Sequence, residues 1–282
     1  MSRRPVLVAL DVNHRDDALR LAAQLAPGQC RLKIGKELYT REGRALLETL
    51  HQQGHDIFLD LKFHDIPNTV AAAVRVAADM GVWMVNVHAS GGRKMLEAAA
   101  DALAHYPKPP LLIAVTVLTS MNAADLRETG VEEPLAAHVA RLTALAADSG
   151  LNGVVCSARE AATVKAAHGD TFLTITPGIR PAWAASDDQS RIMTPEAAIA
   201  AGSDYLVIGR PITRATDPVA ALAAINRGIT PDYKRTPPCE APQLSTSCQI
   251  SSPRHPLSAA STLFSPLLTA ASVSPPFSSS SP

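Results

Sequence analysis

A closed (β/α)₈ barrel is the fold this 282-residue sequence predicts, and three patterns carry that expectation. Eight short apolar or β-branched runs recur between Pro5 and Ile208. Ala- and Leu-rich segments with helical spacing separate them. The unusual polar residues fall at the C-terminal ends of the runs. Strands alternating with helices call for a parallel sheet. Eight regular units favour closing that sheet on itself over an open, doubly wound one.

The first strand is read over Pro5–Leu10, with Asp11 at its end, and the second over Arg31–Ile34, which contains Lys33. The third, Ile57–Leu61, ends in Asp60 and Lys62. The fourth, Met84–Val87, ends at His88. The fifth spans Leu111–Val117 and is followed by Thr119 and Ser120. The sixth is Gly153–Cys156, and the seventh, Phe172–Ile175, runs on into Pro177-Gly178-Ile179-Arg180. The eighth, Tyr205–Ile208, meets Gly209-Arg210. Among the helices, Leu135, Val139, Leu142 and Ala146 repeat at i, i+4, i+7 and i+11 and stop at Gly150. Val70, Val74 and Ala77 mark another. Thr194-Pro195 and Asp217-Pro218 each set a capping side chain before a proline at the first helical position. The helix from Asp217 to about Arg227 would complete a barrel domain over residues 1–230.

Composition narrows the function classes. The formal net charge is +0, which gives no electrostatic reason to expect nucleic acid or an anionic membrane as partner. No apolar run approaches a membrane span. Cys30, Cys156, Cys239 and Cys248 form no C-x-x-C pair, so metal and disulfide roles have little support and a reducing cytoplasm is expected.

The stretch Asp60-Leu-Lys62-Phe-His-Asp65-Ile-Pro-Asn-Thr69 concentrates the chemistry. Asp60 and Lys62 are two apart, so on a strand they share a face. Burying an acid and a base there is costly unless they are paired. Taken alone, the cluster could be an ion-pair network that merely closes a strand end. The coincidence of polar residues at so many strand ends points instead to the rim that carries active sites in this fold. The loops after strands seven and eight often hold phosphate in such barrels. Gly178 and Gly209 permit close backbone approach, and Arg180 and Arg210 add charge. A phosphorylated small molecule is therefore the expected ligand, with a solvated loop arginine as the plainer reading of Arg180. His88 shares its strand face with Asn86 and reads as a rim histidine before a catalytic one. Trp83 and Trp183 read as packing or covering groups.

The run Phe58-Leu-Asp60-Leu-Lys62-Phe-His-Asp65-Ile-Pro-Asn-Thr69 closely resembles the signature of the orotidine 5′-phosphate decarboxylase family. The resemblance extends from Val6 to about Gly228. It includes Ala9-Leu-Asp11, Lys33-Ile-Gly-Lys36, Val85-Asn-Val-His88-Ala, Thr119-Ser120, Thr176-Pro-Gly-Ile-Arg180, Asp188-Gln189 and Gly209-Arg210. It implies decarboxylation of orotidine 5′-phosphate to UMP, the last step of de novo pyrimidine synthesis, without metal or other cofactor. It implies that Lys62 donates a proton to C6 and that Lys33, Asp60, Lys62 and Asp65 form an alternating charged network. Asp65 would come from the second subunit of a homodimer with shared active sites. Asp11, Lys33 and Thr69 would hold the ribose, and Thr119 and Ser120 would face the base. Gln189 would bridge base and phosphate from a mobile loop, and Arg180, Gly209 and Arg210 would bind the phosphate. Three rivals share parts of the pattern: a Mg²⁺-dependent sugar-phosphate enzyme of the same superfamily, an inactive phosphate-binding barrel, and a phosphate-binding isomerase. Lys33, Asp188-Gln189 and the full third-strand stretch weigh against the first, the intact Lys/Asp set against the second, and the lack of a well-placed Glu base against the third.

Residues 231–282 differ in character. They hold ten of the 22 prolines, no glycine and many serines, and are expected to form a disordered low-complexity tail.

Overall fold

The computed structural model describes residues 4–184 and 192–233, with side chains through Ile229. Eight strands run parallel in sequence order and close, β8 pairing with β1. They are β1 (Val6–Ala9), β2 (Arg31–Gly35), β3 (Ile57–Phe63), β4 (Met84–His88), β5 (Leu111–Val115), β6 (Gly153–Val155), β7 (Leu173–Thr176) and β8 (Tyr205–Ile208). The helices among the described residues are α1 (Arg15–Gln24), α2 (Lys36–Gln52), α3 (Pro67–Asp79), α4 (Arg93–Asp101), α5 (Ala123–Glu128), α6 (Leu135–Asp148), α7 (Ala161–His168), α8 (Pro195–Ala200), α9 (Arg210–Thr213) and α10 (Pro218–Tyr233). None is long and apolar enough to cross a membrane.

Side-chain alternation sorts the core into two layers. Val6 and Val8 on β1 join the shell between sheet and helices. Leu7 between them joins Phe58, Met84, Ile113, Leu173 and Ile175 inside the barrel. At the N-terminal end of the strands, Arg31 lies 4.0 Å over the Trp83 ring, which meets Tyr205 edge-on at 5.1 Å. Asp56 accepts a hydrogen bond from Arg31 at 3.2 Å and pairs with Arg4. Trp83 thus packs as expected, and the opposite, C-terminal end is left open.

The helix signals act as read. On α6, Val139, Leu142 and Ala146 are buried, and Gly150 follows at a φ of 79°. Thr194 Oγ1 accepts from Ala197 N at 3.3 Å, and Asp217 Oδ1 from Ala220 N at 2.9 Å, each before a proline that cannot donate there. Three details differ. The fifth strand stops at Val115 rather than Val117, where the chain turns toward a helix capped by Asn122 and Asp125. Two short helices, α5 and α9, add to the eight repeating ones. Helix α10 continues to Tyr233, past the expected end near Arg227, while residues 234–282 lie outside the described residues.

Strands β6 and β7 approach tightly at Gly153, where an added Cβ would sit 2.2 Å from the Leu173 carbonyl oxygen. That neighbour is backbone and cannot swing away. Gly153→Ala is expected to cost about 1–3 kcal/mol as overpacking. In a domain of this size that is a drop in Tm of about 2–12 °C, readable in a thermal scan.

Candidate active site

The third strand supplies the centre. Asp60 is almost fully buried and meets three donors: Lys62 Nζ at 2.5 Å, Lys33 Nζ at 3.3 Å and Asn86 Nδ2 at 2.7 Å. Lys33, from β2, also lies 3.5 Å from Asp11 at the end of β1. The result is a line of alternating charge across the ends of three adjacent strands, Asp11–Lys33–Asp60–Lys62. Burial would raise the Asp60 carboxyl, but Lys33, Lys62 and the hydrogen bonds from Lys62 and Asn86 outweigh it and hold the group below its ordinary range.

Lys62 does not sit on a regular strand. Its φ is 53°, and it is the one non-glycine residue with positive φ among the described residues. The pairing of β3 with β4 shifts register between Leu59 and Phe63 at the same place. Such a conformation costs about 1–3 kcal/mol and is kept where the surroundings enforce it. Here the Lys62 N–H donates to Asn86 Oδ1 at 2.8 Å. Simple alternation predicted that Asp60 and Lys62 would meet, and they do, but through a bulge.

Two hollows open on this line of charge. One, of about 240 Å³, is lined by Phe58, Asp60, Lys62, Val117, Thr119 and Ser120 among others. The other, of about 190 Å³, is lined by Asp11, Lys33, Lys36, Asp60 and Lys62, with Gly35. A third, of about 290 Å³, lies between Arg180, Trp183, Arg210 and Arg214. Arg180 is buried, so it is not a solvated loop arginine, and Trp183 covers this hollow while 57% exposed. Gly209 packs against the end of β1, where an added Cβ would come within 3.4 Å of Asp11 Oδ2. The arginine loops and the line of charge therefore share one rim. Arg180 N–H donates to Met193 O at 2.9 Å, joining the two ends of the stretch that carries Gln189; Gln189 itself lies outside the described residues.

Asp65 and Thr69 stand apart from the network. Both are exposed at the start of α3, and Asp65 Oδ1 accepts from its neighbour Ile66 N at 2.6 Å. His88 is half-buried with its ring 5.6 Å from that of His64. Burial, then the positive fields of His64, Lys62 and Lys36, push its pKa down to about 4. It therefore stands beside Lys62 as a neutral imidazole near pH 7. No group of three His, Cys, Asp or Glu among the described residues could hold a metal ion.

Residues 4–225 match the family model of the Orotidine 5′-phosphate decarboxylase / HUMPS family. The chain belongs to that family. Among curated members, the orotidine 5′-phosphate decarboxylase of Chromobacterium violaceum is 63% identical over 80% of this chain and 92% of its own length. That of Laribacter hongkongensis is 62% identical over 80% and 93%. A crystal structure of orotidine 5′-phosphate decarboxylase from Lactobacillus acidophilus superposes with a TM-score of 0.72 at 41% identity, covering 80% of this chain and 99% of that one. Each of these family members covers the barrel and leaves about a fifth of this chain unmatched. The site residue that sequence reasoning passed over is Asn86, which is fully buried and touches both Asp60 and Lys62. An amide inside the apolar run Met-Val-Asn-Val was the available signal, because a buried amide must find partners.

Proposed function

We propose that this chain converts orotidine 5′-phosphate to UMP and CO₂, with Lys62 as the proton donor. The observation that carries the reading is the Lys33–Asp60–Lys62 array at the open end of a phosphate-type barrel. The C6–carboxyl bond breaks heterolytically, CO₂ departs, and the electron pair stays on C6. The ring offers no carbonyl placed to delocalise that pair directly, so a fixed cation is the available stabiliser. The Lys62 ammonium can meet the developing charge and then pass a proton to C6, forming the C–H bond of UMP. Asp60 orients that ammonium through its 2.5 Å contact. Because Asp60 is held ionised, its charge also faces the position of the substrate carboxylate.

The remaining roles follow the three hollows. Thr119 and Ser120 would face the base in the hollow that Lys62 enters. Asp11 and Lys33 would hold the ribose hydroxyls in the second. Arg180 and Arg210, with the Gly209 backbone, would take the phosphate in the third, with Gln189 reaching it from the neighbouring stretch. Phosphate binding there can lower a barrier at C6 by closing the site and expelling water. Asp65 would complete the charged network, and Thr69 the ribose side, of a second copy. Their exposure beside Ile66, itself 67% exposed, supports such a homodimer.

A spectrophotometric assay of orotidine 5′-phosphate loss, run with and without EDTA, tests the reaction. Turnover unaffected by chelator is expected. No loss of orotidine 5′-phosphate, with Mg²⁺-dependent activity on a sugar phosphate instead, would place the chain on the other branch of the family.

A further inference from the structure

Asn86 closes a ring of hydrogen bonds around the Asp60–Lys62 contact. Its Oδ1 accepts the Lys62 backbone N–H at 2.8 Å, and its Nδ2 donates to Asp60 Oδ1 at 2.7 Å. That same Asp60 oxygen accepts from Lys62 Nζ at 2.5 Å. One planar amide therefore grips the lysine at its backbone and the carboxylate that orients the lysine's far end. It is fully buried, so water cannot substitute for either contact. It does so at the one described non-glycine residue whose φ is positive.

Building on the proposed decarboxylase activity, we propose that Asn86 is a positioning residue that sets where the Lys62 ammonium stands over the reacting carbon. The two partners need one acceptor and one donor at fixed positions, and the planar amide supplies both. A carboxyl at this place retains the acceptor and loses the donor unless it is protonated. A leucine of similar shape leaves the Lys62 N–H and one Asp60 lone pair unpaired in a buried place. Misplacing a reacting group by about 1 Å can cost on the order of a hundredfold in rate without weakening substrate binding. The phosphate and ribose contacts lie on other strands and loops, so ground-state affinity should survive.

The test is Asn86→Asp in the full chain, with wild type measured alongside. We expect kcat to fall by about a hundredfold while KM for orotidine 5′-phosphate stays within about threefold. The introduced carboxyl and Asp60 would share one proton, so the kcat–pH profile should gain an ionisation that wild type lacks. Asn86→Ser adds no charge and should show the same kcat loss without the new ionisation; it serves if the first variant does not fold. Suppose either folded variant keeps kcat within about threefold of wild type and an unchanged pH profile, even with a lower Tm. Asn86 is then a structural residue and the inference is overturned, while the decarboxylase reading stands. If wild type itself fails to turn over orotidine 5′-phosphate, both fall together.

Discussion

Lys62→Ala should lose at least about a hundredfold in turnover, the usual contribution of a general acid, while the barrel stays folded. The substitution removes both the proton donor and the cation that faces the carbanion. Removing one partner of a buried ion pair can cost about 3–5 kcal/mol when the other charge is left alone. Asp60 is not left alone, since Lys33 at 3.3 Å and Asn86 at 2.7 Å remain. Relief of the positive φ at position 62 is not part of the gain, because alanine is as restricted there as lysine. A circular-dichroism melt close to wild type with turnover near background is the expected pair of results. A variant retaining more than about a tenth of wild-type turnover would remove Lys62 from the mechanism.

Mixing two inactive proteins should restore activity. Asp65→Ala damages the residue offered across the proposed dimer, and Arg210→Ala damages the phosphate end of the barrel that carries it. In a mixed dimer, one site then bears both lesions and the other bears neither. Turnover per mixed dimer should approach about half that of a wild-type dimer by this counting. Asp65 is exposed and outside the Lys33–Asp60–Lys62 array of its own chain, which is what a residue meant for a neighbour requires. The exposed apolar Ile66, which caps α3, and Val76 within it give α3 a reason to be covered. No recovery after demonstrated subunit exchange would confine each site to one subunit.

The barrel was legible because its strands are buried on both faces and read as short apolar runs between helical segments. Leu111-Leu-Ile-Ala-Val115 shows the signal and its limit, since the apolar run continues to Val117 after the ladder has ended. The rim residues were legible as charges at strand ends, where an apolar core gives no other reason for Asp11, Lys33, Asp60 and Lys62. The bulge at Lys62 was not legible. Its φ of 53° goes with a hydrogen bond to Asn86 on a different strand, and the sequence around Lys62 does not reveal that partner. His88 was left between two readings, and its surroundings show why: burial depresses it first, then the fields of His64, Lys62 and Lys36, none of which its own strand reveals. The sparse, proline-rich residues 234–282 lie outside the described residues, and so does Gln189.

Substrate carrying ¹³C in the carboxyl group, turned over in D₂O in the presence of EDTA and followed by NMR, tests the central claim most directly. The account predicts that wild type releases the label as CO₂ and yields UMP with one deuteron at C6, while Lys62→Ala does neither at a measurable rate. Label release by Lys62→Ala at a rate near wild type, or release by wild type only after Mg²⁺ is restored, would contradict it.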